Sequence, residues 1–379
     1  MPSVHIIGGG VAGYTLAREL VRQHYAGTII ISEPQGLPYD RPPLSKSLQI
    51  EPFVPAAWYA EHGIELRQEK IAQLPLPAAP DDWVVLATGT TPELLEVPGA
   101  GHARTLHTAA DAAALAQALD DSMFGLEVLV IGAGLIGAEF ASTASMLGAQ
   151  VTLVSNSEAP LAPVLGHELA AQLHADHGQR GIRTITGTVE RIAADHVLVD
   201  GQRLEAEVIL SAIGVRPDTA LASALGLEVD DGILVDAQQR ALGHRQVLAI
   251  GDAARHQGAR RTVHWEAAME DAAQAAATIL GAAPVQRSVP WFWTDRHEMH
   301  VETVGDFRQA ASTVLRRNRR GKLQAVFGLD AHGVLVAASM VDGGLMAKAV
   351  KRLVARGSAP SIEHLEDPSV GPRELGRSD

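Results

Sequence analysis

Val4-His5-Ile6-Ile7-Gly8-Gly9-Gly10-Val11-Ala12-Gly13-Tyr14 and, 124 residues further on, Val128-Leu129-Val130-Ile131-Gly132-Ala133-Gly134-Leu135-Ile136-Gly137-Ala138-Glu139 are two copies of one device. In each, a short β-branched run leads into a G-x-G-x-x-G cluster, then an Ala/Leu-rich helical stretch, then a second apolar run, at 28–32 or 151–154. The first glycine permits the tight turn, the second lets the backbone approach a diphosphate, and the third lets the helix sit close to the strand. Amides at the helix N-terminus then bind the diphosphate. The device asks for a carboxylate about 20 residues on, to take the ribose hydroxyls. Glu33 stands there in the first copy, so Gly8, Gly10, Gly13 and Glu33 make a complete dinucleotide site. In the second copy, Gly132, Gly134 and Gly137 carry the same context, but Val154 is followed by Ser155 and Asn156 and not by an acid. Discrimination against a 2′-phosphate is weaker without that acid, yet no Arg or Lys stands nearby to accept one. NADH is therefore expected, with NADPH left open.

Outward from these copies, 83–92 reads as a buried strand running into a Gly/Pro turn, and 208–217 as its counterpart in the second unit. A third strand, 247–250, ends at Gly251-Asp252, and an Ala-rich helix follows over 265–280. The stretch 109–119 reads as a core-facing helix. From Pro290 the texture changes to alternating runs at 299–304, 324–329 and 333–340, an antiparallel sheet, followed by a helix over 345–354. The tail from Gly357 is Pro- and charge-rich and reads as loosely held. The fold class is α/β: two Rossmann-like dinucleotide-binding domains, the second inserted in the first, plus a C-terminal α+β domain. The segments are 1–108 and 232–288 for the first domain, 109–231 for the second and 289–379 for the third.

Composition bounds the chemistry. The 379 residues contain no cysteine, which removes disulfides, thiolate nucleophiles, Cys-ligated zinc and Cys-held iron–sulfur clusters. Redox chemistry must then come from a bound organic cofactor. A net charge of -13 repels phosphate backbones and argues against a nucleic-acid partner. With neither a basic leader nor 18 consecutive apolar residues, the sequence reads as a cytoplasmic protein without a membrane partner.

Beyond the glycines, Pro38-Tyr39-Asp40-Arg41-Pro42-Pro43-Leu44-Ser45-Lys46, Ala87-Thr88-Gly89, Gly251-Asp252 and Pro290-Trp291-Phe292-Trp293-Thr294-Asp295 are distinctive strings. With them the chain resembles, over nearly its whole length, the FAD-dependent ferredoxin reductases of bacterial oxygenase systems. The resemblance implies FAD on the first unit, with Ala12 and Gly13 at the pyrophosphate, Glu33 on the ribose, and Arg41, Lys46 and Thr88 toward the flavin. It also implies Asp252 at the ribityl or phosphate region and Trp265 near the ring. NADH would lie on the second unit, lined by Gly132, Gly134, Ile136, Gly137, Ser155 and Gly214, with Glu139 at the nicotinamide end. The electron acceptor would be a [2Fe–2S] ferredoxin or similar protein. Reduced flavin carries negative charge, so a cation such as Lys46 at its reactive edge stabilises it, and Glu139 is placed to pair with that lysine or orient the carboxamide. These two are the candidate catalytic residues.

The chain departs from the family pattern at Glu127, where the family usually has Arg, and at Val263, Ala267 and Met269, where it tends to have polar residues. The stretch between Gly63 and Trp83 is short, as though a β-hairpin were trimmed. Polar contacts to the flavin are thus expected to be thinner. Rival readings are a rubredoxin reductase or other FAD-dependent NADH oxidoreductase, a flavin monooxygenase, and a non-enzymatic nucleotide-bound protein.

Arg316, Arg317, Arg319 and Arg320 form a basic run in an acidic chain, a docking patch for an acidic ferredoxin or else a solvated turn. On one alternating strand, Glu298, His300 and Glu302 would share one face and Asp295 and His297 the other. No metal is expected from that cluster, nor from His174 and His177, which sit at helical spacing.

Overall fold

The computed structural model describes residues 1–376 other than 74–76, 78 and 122–124. Its contacts divide the chain into two compact units. The first holds Met1–Pro43, Gln49–Pro92 and Val215–Arg287; the second holds Leu44–Leu48, Glu93–Gly214 and Ser288–Asp379.

The first unit is built on a five-stranded parallel sheet in the order Val247–Ala249, Trp83–Leu86, Ser3–Ile7, Thr28–Ser32, Ile64–Arg67. Helices cover both faces of such a sheet, so its central strands read as unbroken apolar runs. Val4, Ile6, Ile31, Val85 and Leu86 are each fully buried. The helix Val11–Arg22 packs on Trp265–Leu280, where Ala268, Ala272, Ala275 and Ala276 form a small-residue stripe at helical spacing that lets the two backbones approach. That second helix starts where His264 accepts the Ala267 amide and stops at Gly281 in the left-handed conformation.

The second unit repeats the design. Its parallel sheet runs Arg183–Thr186, Gln150–Ser155, Glu127–Ile131, Val208–Ser211, the strand order of the first copy without its extra edge. An antiparallel five-stranded sheet belongs to the same unit: Trp291–Arg296, Met299–Gly305, Leu335–Val341, Leu323–Leu329, Ser312–Arg317, backed by the helix Leu345–Arg356. Leu165, Leu169 and Leu173 pack against Val301, Phe307 and Val326, so the helix His167–Gln179 and this sheet share a core.

Two expectations fail here. The single strand across 295–302 is broken by a two-residue hairpin turn at His297 and Glu298, both left-handed (φ 51° and 63°), the geometry that matches strand twist. Asp295 and His300 therefore face each other across the hairpin, and His297 is buried. The tail is not loose over its described length: Leu365, Val370 and Leu375 are buried in the core that includes Phe327 and Val350. The expected trimming between Gly63 and Trp83 falls in part on 74–76 and 78, outside the described residues. Among the described residues no helix is long and apolar enough to cross a membrane.

Candidate functional site: two dinucleotide turns and a buried carboxylate

A Cβ added at Gly8 would lie 2.2 Å from the Ala87 carbonyl oxygen, and one at Gly13 would lie 2.0 Å from the oxygen of Gly8. A Cβ at Gly10 meets nothing within 4 Å. The first and third glycines are thus required by the protein itself, while the second faces open space, where a diphosphate would approach the free N-terminal amides of Val11–Arg22. Glu33 is pinned beside the turn, taking the Gly9 amide at 2.7 Å and the Gln35 amide at 3.0 Å. Ala12 is buried against Gly251, across the turn.

Elsewhere in the first unit, Arg41 and Arg261 are the cations acting on Asp252, which burial nonetheless pushes up to about 6. Trp265 donates its indole N–H to Asp40 at 3.0 Å. Thr88 spends its hydroxyl on the carbonyl of Asp218, 130 residues further along the chain, at 2.6 Å. Asp271, which sequence reading missed, fastens the Gly251–Asp252 turn: it accepts the Gly251 backbone amide at 3.0 Å and Gln239 Nε2 at 2.7 Å, and pairs with Arg287. Its only sequence signal is an acid inside an Ala-rich helix.

In the second unit, a Cβ at Gly132 would lie 2.4 Å from the Ala212 oxygen and one at Gly137 1.9 Å from the Gly132 oxygen, while Gly134 is open. Ile136 stays partly exposed, and Ser155 is buried and engaged with Ser157. Gly214, at φ +147°, lies against the Glu93 carboxylate and holds the Glu93 amide at 2.9 Å.

Glu139 is not a helix-surface residue. It is 5% exposed and accepts from the Ser45 hydroxyl, from Thr294 Oγ1 at 2.7 Å and from the Asp295 amide at 3.1 Å. Burial raises its pKa, against the pull of Lys46 first and then of these hydrogen bonds. Lys46 Nζ stands 3.9 Å from Glu139 Oε1, pairs with Asp295 and lies 5.1 Å over the Trp293 ring. Asp295 in turn meets His300 Nδ1 at 2.6 Å. Burial opposes ionisation of Asp295, but the hydrogen bonds from Lys46 and His300 prevail and hold it below the usual carboxylate range. Thr143, one turn beyond Glu139, donates to the carbonyls of Ser45 and Lys46 at 2.9 and 3.0 Å, so one helix face positions both candidate catalytic residues. The polar residues Glu139, Ser142 and Thr143 at helical spacing in an otherwise apolar helix were the signal available for this.

The basic run does not stay together. Arg316 is 3% exposed and donates to the carbonyls of Leu365, Val370 and His364, with its guanidinium 5.2 Å over Phe327. As a buried staple for the tail it has no part in docking; Arg317, Arg319 and Arg320 are exposed. Among the described residues no cluster of three or more His, Asp or Glu side chains is placed to hold a metal ion.

Residues 2–272 match the pyridine nucleotide-disulphide oxidoreductase family and residues 291–375 the reductase C-terminal family. The chain belongs to the pyridine nucleotide-disulphide oxidoreductase family, although without cysteine it has no disulphide of its own. Within that family it falls among the oxygenase-system ferredoxin reductases that its residues resemble. The anthranilate 1,2-dioxygenase system ferredoxin–NAD(+) reductase component of Burkholderia cepacia is 34% identical, with 97% of each chain covered. The biphenyl dioxygenase system ferredoxin–NAD(+) reductase component of Paraburkholderia xenovorans is 31% identical, with 98% of each covered. The solved covalent putidaredoxin reductase–putidaredoxin complex superposes with a TM-score of 0.90 at 26% identity, covering 99% of this chain and 98% of that one.

Proposed function

We propose that this protein takes electrons from NADH through bound FAD and passes them to a [2Fe–2S] ferredoxin-type partner of an oxygenase system, in the cytoplasm. The observation that carries the reading is the duplicated turn with an open central glycine, Gly10 in one copy and Gly134 in the other, because two dinucleotides in one chain suit hydride transfer from one to the other. When bound, flavin accepts a hydride from nicotinamide and releases electrons to an iron–sulfur centre. The chain's own residues bind and orient. Gly8, Gly10, Ala12, Gly13, Glu33, Arg41, Thr88, Asp252 and Trp265 are assigned to FAD, and Gly132, Gly134, Ile136, Gly137, Ser155 and Gly214 to NADH. Lys46 supplies a positive charge toward the flavin's reacting edge, and Glu139 orients the nicotinamide carboxamide while keeping that lysine in place. The lysine's pairing with Asp295 and its neighbour Glu139 support this assignment. Exposed Arg317, Arg319 and Arg320 are assigned to steering the acidic partner.

Anaerobic stopped-flow mixing with NADH, followed by an oxidised [2Fe–2S] protein, tests the reading. Rapid flavin bleaching followed by reduction of the iron–sulfur protein is expected. Bleaching that no iron–sulfur protein reverses would remove the last step, and rapid reoxidation by oxygen with substrate hydroxylation would favour a monooxygenase.

A further inference from the structure

We propose that Arg296 and His177, inside the second unit, hold a small inorganic anion of the halide class. Arg296 ends the strand Trp291–Arg296 and shares the inward face with Thr294, two residues before it. It is 5% exposed, its Nε and Nη2 have no hydrogen-bond partner, and no carboxylate lies within 4.0 Å of it among the described residues. Burial lowers its pKa only to about 10, with Glu139 holding it up, so it stays charged at neutral pH. A buried charge without a counter-ion is strongly disfavoured.

The neighbouring carboxylates are taken. Glu139 is engaged by Ser45, Thr294 and the Asp295 amide, and Asp176 pairs with Lys322 at 2.9 Å.

The histidines beside Arg296 add a second unmet donor. The Ser142 hydroxyl accepts the His297 amide at 2.7 Å, and its own proton is better spent on His297 Nδ1 at 3.1 Å than on the Met146 sulfur at 3.9 Å. The His297 ring proton then sits on Nε2 and is donated to His177 Nδ1 at 2.8 Å. That leaves the His177 proton on Nε2, buried and without a partner. Burial first, then Arg296, lowers His177 to about 3, and burial with Arg180 and Arg296 lowers His297 to about 4, Asp176 opposing. Both rings are therefore neutral, and the serine fixes the direction of donation along the chain. His174, its ring 6.1 Å from that of His177, also lies within the field of Arg296.

Every unmet atom in this group is a donor, and the charged neighbours that act on the His177 ring all oppose its protonation. A halide accepts several N–H groups and donates none, whereas a water must still place two protons of its own. The inference stands whether or not the flavin assignment does, since it concerns only the interior of the second unit.

The test uses the intact wild-type holoprotein. Crystals transferred to bromide are expected to show an anomalous peak within hydrogen-bond reach of the Arg296 guanidinium; water density there, or bromide only at the surface, would overturn the proposal. In solution, raising chloride about 100-fold at constant ionic strength is expected to lift the unfolding midpoint by roughly 2 °C. Arg296→Met and Arg296→Gln should lose that lift, and an equal lift in wild type and variants would equally count against the site.

Discussion

The two glycine turns are alike where the chain meets itself and unlike where a ligand would be chosen. In both, a Cβ on the first glycine would strike the carbonyl of a neighbouring strand end, Ala87 or Ala212, and a Cβ on the third would strike the carbonyl of the first. In both, the middle glycine is open. The copies part after the second strand, at Glu33 in one and Ser155-Asn156 in the other, and along the following helix. The first helix places Tyr14, Leu16, Ala17 and Leu20 in a core, while the second turns Glu139, Ser142 and Thr143 inward to polar partners. Contacts that close the turn are kept in both copies, and the positions proposed to select and use a ligand differ.

The largest effects should come from violating what the copies share. Gly13→Ala and Gly137→Ala place a methyl about 2 Å from a backbone oxygen. Each is expected to cost about 3 kcal/mol or more, read as a lost or strongly lowered unfolding midpoint. Gly10→Ala and Gly134→Ala should leave that midpoint near wild type and weaken dinucleotide binding; unfolding comparable to the third-glycine variants would end the distinction between packed and open glycines.

Next in size is the helix difference. Glu139→Gln is expected to slow flavin reduction by NADH about 100-fold in stopped flow with FAD content unchanged. A wild-type rate would show the buried carboxylate to be structural only.

Smaller again is the difference at the strand ends. Glu33→Gln should weaken FAD retention about 10-fold, and Asn156→Asp should raise preference for NADH over NADPH by a similar factor without touching FAD. Equilibrium dialysis and paired kcat/KM measurements check the two halves separately.

The mildest is a pH effect confined to the first unit. The folded carboxyl of Asp252 titrates at about 6 against 3.8 ordinarily, so folded protein binds the proton more tightly. The stability of flavin-free protein should fall as pH rises from about 4 to about 6, and Asp252→Asn should flatten that slope in melts across the range.

What the sequence made legible is what short-range pattern encodes. The glycine turns, the unbroken apolar strands and the helix over 265–280 follow from periodicity and turn residues within a few positions. Non-local partners were invisible. Arg316 looks like part of an exposed basic run, but Val314 and Arg316 lie on one side of a strand, and carbonyls some 50 residues later receive the guanidinium. The His297–Glu298 turn hid because neither residue is a usual left-handed one. Glu139 came into view through the family resemblance, but its partners Ser45 and Thr294, 94 and 155 residues away, carry no signal in its own neighbourhood.

Residues Leu44–Leu48 belong to the second unit although the chain on both sides of them belongs to the first. This splits the heritable module from the contiguous one. A chimaera that exchanges 93–214 and 288–379 between two related reductases leaves Ser45 and Lys46 behind with the wrong parent, and so mismatches the hydroxyl and ammonium that meet Glu139 and Asp295. Recombination that respects function must carry those five residues along as a separate cassette.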